Sequence, residues 1–243
     1  MSWTGRRTAP LHGWTVTPRE AIALQHRLAD RVSQRPPRRA PRTVAGLDVS
    51  VRRGETTCRA GAVLMTVEPL AVVARVRIER PVPFPYVPGL LSFRELPGLL
   101  EALALLPERP EALVLDGHGL AHPRRFGLAC HLGVWGDLPA LGAAKSILCG
   151  THGPLGRARG STAPLVHRDE TVGVALRTRA GVKPVYVSIG HRFDLPTAIE
   201  LALRLAPRYR LLEPIRQAHR LVSGSGDVGV ERRGKELRNE GSG

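Results

Sequence analysis

The chain opens with polar and small residues and then settles into a helical period. Leu24, Leu28 and Val32 recur on one face, and the spacing predicts an amphipathic helix over about 18–32. Thr17-Pro18-Arg19-Glu20 starts it with a capping box and a proline at the first helical position. A Pro/Arg-rich linker, 33–42, follows. The period then shortens to that of strands. Three Val- and Ala-rich runs, about 43–52, 57–67 and 70–80, are bounded by Gly54 and Pro69. Their short connections imply antiparallel hairpins. A Pro-rich loop, 81–89, leads to a helix near 92–106, begun or interrupted at Pro97. A fourth strand is expected at 112–116, a short helix in RRFGLACHLGVWG, and a strand near 145–149. After a Gly/Pro/Arg-rich surface loop, 150–164, a further hairpin is expected at 172–177 and 184–189. Asp194 is placed to cap a helix carrying Ile199, Leu203 and Leu205, and a last helix begins near Pro214. No internal repeat is visible. Residues 1–16 read as a loose arm and 223–243 as a disordered tail of Gly, Ser and charge. This leaves one domain over 17–222. Its order of elements predicts an α/β fold: three antiparallel strands, then parallel strands in a mixed sheet flanked by helices.

Three acids break the pattern. Asp48 and Asp116 end the apolar runs VAGLDVSV and EALVLDGHG, and Glu95 follows PYVPGLLSFR at the start of a helix. An acid at the end of a buried strand is costly unless something pairs with it. A hard divalent cation held by carboxylates that meet only in the fold accounts for all three. If the first and fourth strands pair centrally, Asp48 and Asp116 are neighbours where sites gather in such sheets. Glu95 has a second explanation, as a first-turn acid stabilised by the helix dipole.

Charge narrows the class further. Across 243 residues, 36 Lys and Arg oppose 21 Asp and Glu, a net +15, which suits a polyanion and above all a nucleic acid. Arg35, Arg38, Arg39 and Arg42 cluster before the first strand, and Arg52 and Arg53 follow it. No basic amphipathic helix or lipidation motif points to a membrane. Cys58, Cys130 and Cys149 are odd in number and far apart, so neither a disulfide framework nor a zinc site is indicated. The first residues lack an apolar leader segment, and a cytoplasmic location is expected.

Four ordered blocks now become recognisable: VAGLDVS, PYVPGLLSFRE, DGHGLAHPRRFGLACHLGV and KPVYVSIGHR. Over about residues 17–220 the chain resembles the endonuclease V (deoxyinosine 3′ endonuclease) family. The arm and the tail lie outside the resemblance. It implies an RNase H-like fold and a Mg²⁺-dependent nuclease, with Mn²⁺ as a substitute. It also implies hydrolysis on the 3′ side of deaminated adenine, at the second phosphodiester, which initiates DNA repair. Asp48, Glu95 and Asp116 then match the family's metal-binding acids, and Lys145 and His191 its basic residues beside the scissile phosphate. Tyr86 lies in the wedge motif Pro85-Tyr86-Val87-Pro88. His122 and His131 also match, and Cys130 stands where the family pattern suggests Ser.

Each assignment has a plainer reading. Lys145, read as opening a strand, could snorkel to solvent, and His191 could be a loop residue before a helix. His122 precedes a proline and is expected to be extended and exposed, within reach of a phosphate. His131 on an apolar face reads as a satisfied core residue. Tyr86 is stiffened by Pro85 and Pro88, either to fill the gap beside a flipped base or to pack on the sheet. Gly89, Gly117, Gly119 and Gly127 allow close backbone approach to a base or simply form turns. The expected partner is DNA containing deoxyinosine. An endoribonuclease acting on inosine-containing RNA and a catalytically dead nucleic-acid-binding module are the alternatives.

Overall fold

A computed structural model describes residues 10–51, 56–224, 229–232 and 235–236. Helix α1, Pro18–Ala29, begins at the predicted capping box, with the Glu20 carboxylate accepting from the Thr17 amide at 2.7 Å. Strands β1 (Thr43–Ser50), β2 (Thr57–Val67) and β3 (Leu70–Pro81) form the expected antiparallel meander. Arg52 and Arg53 lie outside the described residues. Helix α2, Leu91–Ala104, carries Pro97 inside it. Strand β4 (Ala112–Leu115), helix α3 (Leu128–Gly136) and strand β5 (Ala140–Ala144) follow. The expected strand at 145–149 is therefore misplaced. The true strand is ALGAA, and Ala and Gly are poor strand signals. Lys145 follows this strand instead of opening one.

Strand β6 (Thr162–His167) starts inside the stretch read as a loop, and pairs in sequence with β7 (Glu170–Leu176) and β8 (Val185–His191). Asp194 caps helix α4, Leu195–Arg204, as expected, accepting from the Thr197 amide at 2.9 Å. Helix α5 spans Glu213–Ser223. Most of the tail lies outside the described residues, but β9 (Gly229–Arg232) pairs with β3 and β10 (Lys235–Glu236) with β9.

The ten strands form one sheet in the order β10-β9-β3-β2-β1-β4-β5-β8-β7-β6. The mixed sheet is as predicted, but its parallel part is limited to β1, β4 and β5; β8, β7 and β6 run antiparallel. Both faces are covered. Val44, Val114 and Leu141 pack with α4 and α5, while Ala45, Leu47, Leu113 and Leu115 pack with α2 and α3. The period-two alternation of β1 and β4 therefore feeds two cores, which explains why these strands read as continuous apolar runs. Among the described residues, no helix is long and apolar enough to cross a membrane.

Helix α5 presses directly on β1. A Cβ added at Gly46 would lie 2.1 Å from the Pro214 carbonyl oxygen, and backbone at that point cannot yield cheaply. Gly46→Ala is expected to cost about 3 kcal/mol, a fall in Tm on the order of 10 °C. Differential scanning calorimetry checks it. An unchanged Tm would mean that α5 is not seated on β1 at this point.

Candidate active site

The central parallel pair brings the two aspartates together. Leu47 of β1 is level with Leu115 of β4, so Asp48, inside β1, and Asp116, just past the end of β4, emerge side by side. Asp48 Oδ1 accepts from the Val49 amide at 2.9 Å, and its Oδ2 accepts from His219 Nδ1 at 2.8 Å. Asp116 accepts from the Lys145 ammonium, which stands just past the end of neighbouring β5. Both aspartate side chains keep about 15% of their surface accessible. They are sheltered enough to feel one another and open enough to meet a ligand.

Glu95 comes from α2 and is near enough to feel the charges of both aspartates. It lies past the first turn, so the dipole explanation does not apply. Its carboxyl is pushed up to about 8, first by burial and then by the charges of Asp48 and Asp116. Burial likewise raises Asp48, with Asp116 adding to it and the bond from His219 opposing it. Among the described residues, no three such side chains already converge as a closed ligand set. Lys145 and His219 each hold one oxygen, Oδ2, of Asp116 and of Asp48.

His219, on α5, reaches this cluster through Asp48, although no sequence motif marks it. The helix reads there as one more basic amphipathic segment, EPIRQAHRLVS, and nothing local marks its only His. His191 is not at the site. It pairs with Ala140, at the start of β5, whereas Lys145 follows the end of that strand. Five residues of strand separate the two ends, on the order of 15 Å. His191 is buried there. It accepts from the Ser33 amide at 3.1 Å through Nδ1 and donates to Asp137 at 3.3 Å. Its observed contacts tie the linker after α1 to the sheet. Arg42 and Arg39 also lie at that far end, paired with Glu111. His219→Ala is therefore expected to lower cleavage by at least about tenfold with little loss of stability. His191→Ala is expected to lower Tm and spare the turnover of the folded fraction. Parallel melts and single-turnover assays on the two variants check this, and the reverse pattern would refute the placement.

Beside the carboxylates lies a cavity of about 280 Å³, lined by Tyr86, Gly89, Ser92, Gly117, His118 and His122 among others. That is room for a heterocycle, since a water molecule takes about 30 Å³. Tyr86 stands at the cavity with 71% of its surface exposed, so it does not pack on the sheet. Its loop is rigidly held. Phe84 and Leu90, on either side, are buried, and exposed Pro85 and Pro88 flank the ring. Gly89 takes φ +77°, a conformation that suits glycine. Its carbonyl accepts three hydrogen bonds, from Gln25 Nε2 at 2.9 Å, His122 Nε2 at 3.0 Å and Arg124 at 2.8 Å. His122 is accordingly buried and not exposed as expected. Burial, assisted by Arg124, lowers it to about 4, so the ring is neutral.

The sequence pattern of the Endonuclease V family matches residues 26–220. The chain belongs to the Endonuclease V family. An Endonuclease V of Myxococcus xanthus is 54% identical over 211 residues, covering 86% of this chain and 90% of its own. That of Nostoc sp. is 46% identical, covering 87% and 96%. The Endonuclease V structure from Streptomyces avermitilis superposes with a TM-score of 0.83 at 46% identity, covering 87% and 93%. The fold is RNase H-like and the chain is an endonuclease, hence a hydrolase.

Membership of the Endonuclease V family implies a divalent metal ion. The residues here fit one. Asp48, Glu95 and Asp116 offer hard oxygen donors, and their mutual repulsion is relieved by a cation placed among them. Cys58, Cys130 and Cys149 are free and buried. The Cys130 thiol donates to the Ile189 carbonyl at 3.6 Å in the core, so it makes no contact with the cavity. His131 is buried as well.

Proposed function

We propose that this endonuclease recognises deaminated adenine, as deoxyinosine in DNA, and hydrolyses the second phosphodiester on its 3′ side to initiate repair in the cytoplasm. The observation that carries the reading is the junction of two features. A cavity of base size with an exposed aromatic at its mouth adjoins a carboxylate cluster where β4 ends beside β1. Asp48, Glu95 and Asp116 would hold Mg²⁺, with Mn²⁺ as a substitute. Bound there, such an ion supplies charge neutralisation at phosphorus and a more acidic water. Lys145 presents a positive charge to the same phosphate and orients Asp116. His219 fixes the Asp48 carboxylate through Oδ2. Tyr86 fills the gap that an extruded base leaves, and the stiff loop limits the entropy lost on doing so. Gly117 lets the backbone come close to the base.

The test is cleavage of matched inosine and adenosine oligonucleotides, as DNA and as RNA, with Mg²⁺, with Mn²⁺ and with chelator. Metal-dependent cutting of deoxyinosine DNA between the first and second nucleotides 3′ of the lesion is expected. Equal cutting of adenosine, or cutting of inosine RNA alone, overturns the DNA-repair reading.

A further inference from the structure

One hydrogen-bonded chain of side chains runs from the arm to the cavity, and it has a direction. His12 Nδ1 lies 2.6 Å from the Gly13 carbonyl. A carbonyl only accepts, so Nδ1 carries the proton, and in the neutral ring Nε2 is an acceptor. Burial lowers His12, with Arg27 acting in the same sense, and burial lowers His131 well below its ordinary value. Both shifts favour the neutral ring. His12 Nε2 lies 2.8 Å from His131 Nε2, so His131 must donate there and keep Nδ1 bare. His131 Nδ1 lies 2.9 Å from Ser92 Oγ. The serine hydroxyl must therefore give its only proton to His131. Ser92 also lines the cavity, and the oxygen it has left to offer is a lone-pair acceptor. His131 cannot readily turn over to change this. It is fully buried against Phe93, Phe126, Trp14 and Trp135.

We propose that Ser92 reads the N1 edge of the base as an obligate acceptor, a polarity set by relay from His12 through His131. This rests on the inosine reading above and adds the atom that discriminates. Hypoxanthine carries a hydrogen on N1 and can donate to Ser92. Adenine presents a lone pair at N1 and meets the serine lone pair instead. A site built to pair a donor rejects the analogue that lacks it, because its own buried acceptor is then left unpaired. Ser92 is the specificity-determining residue, and His131 and His12 are positioning residues. The arm, read as a loose extension outside the family resemblance, thereby acquires a role in selectivity.

Two measurements test it. Nitrogen-15 shifts of the histidine rings in the intact protein report the tautomers directly. His12 protonated on Nδ1 and His131 on Nε2 are expected, and His131 protonated on Nδ1 overturns the relay. Single-turnover cleavage then compares deoxyinosine with deoxynebularine, a purine with a bare N1 and no group at C6. Ser92→Ala is expected to lower that preference about 3- to 10-fold. His12→Leu is expected to lower it too at unchanged Tm, whereas His12→Gln, whose amide oxygen accepts from His131, retains it. Cleavage of deoxyinosine with the preference unchanged in Ser92→Ala overturns the role of Ser92 alone. No cleavage of deoxyinosine by the unmodified protein overturns the inosine reading, and this inference with it.

Discussion

Asp48→Asn or Asp116→Asn is expected to abolish cleavage while leaving nucleic-acid binding nearly intact. Each substitution removes a negative oxygen from the group that would hold the cation. Metal-ion catalysis is worth several kcal/mol, so a loss of at least about 10³-fold in the single-turnover rate follows. Binding depends on phosphate contacts made by a chain of net charge +15, and neutralising one acid does not weaken them. The fold should also tolerate the change. Burial and its neighbour raise Asp48, so its charge is a cost to the folded state. A gel shift, a nicking assay and a melt on the same preparation give all three answers. Nicking at the unmodified rate by either variant would refute the assignment of the cluster. Glu95→Gln should follow the same pattern, with more residual activity if only part of the cation's coordination depends on it.

The second large effect is on selectivity. Tyr86→Ala should reduce the preference for inosine over adenosine about 5- to 100-fold, because stacking a base on an aromatic is worth roughly 1–3 kcal/mol. A buried ring would instead cost about 3–5 kcal/mol of stability on truncation. With 71% of Tyr86 exposed, the melting temperature should hardly move. The two readouts therefore separate a wedge from a core residue. A lowered Tm with unchanged selectivity would falsify the wedge.

Much of this site was legible in the chain. Asp48 and Asp116 stand out because an acid at the end of a buried apolar strand has few explanations, and Tyr86 because two prolines fix its loop. The start of α1, the cap of α4, the meander of β1 to β3 and the start of α5 are likewise written in local signals: capping boxes, proline at the first turn, and short turns between strands. The errors have a common cause. Strand β5 was missed because it is built of Ala and Gly, whose strand preference is weak and whose burial comes from neighbours on both faces. Strand β6 was hidden by Gly, Pro and Arg around it.

What the sequence by itself determined, then, is each element whose own residues carry its signal, and the acids placed against the apolar pattern. The tertiary structure alone decided which histidine meets the carboxylates. His191 sits in a matching motif, but the antiparallel course of β8 carries it to the far end of the sheet. His219 sits in an unremarkable helix, but the close approach of α5 to Gly46 sets it on Asp48. The direction of the Ser92 hydroxyl was likewise invisible, since it depends on residues 12, 92 and 131 meeting. Strand direction, helix docking and hydrogen-bond polarity are properties of pairs of segments. No local pattern of one segment encodes the partner it will meet.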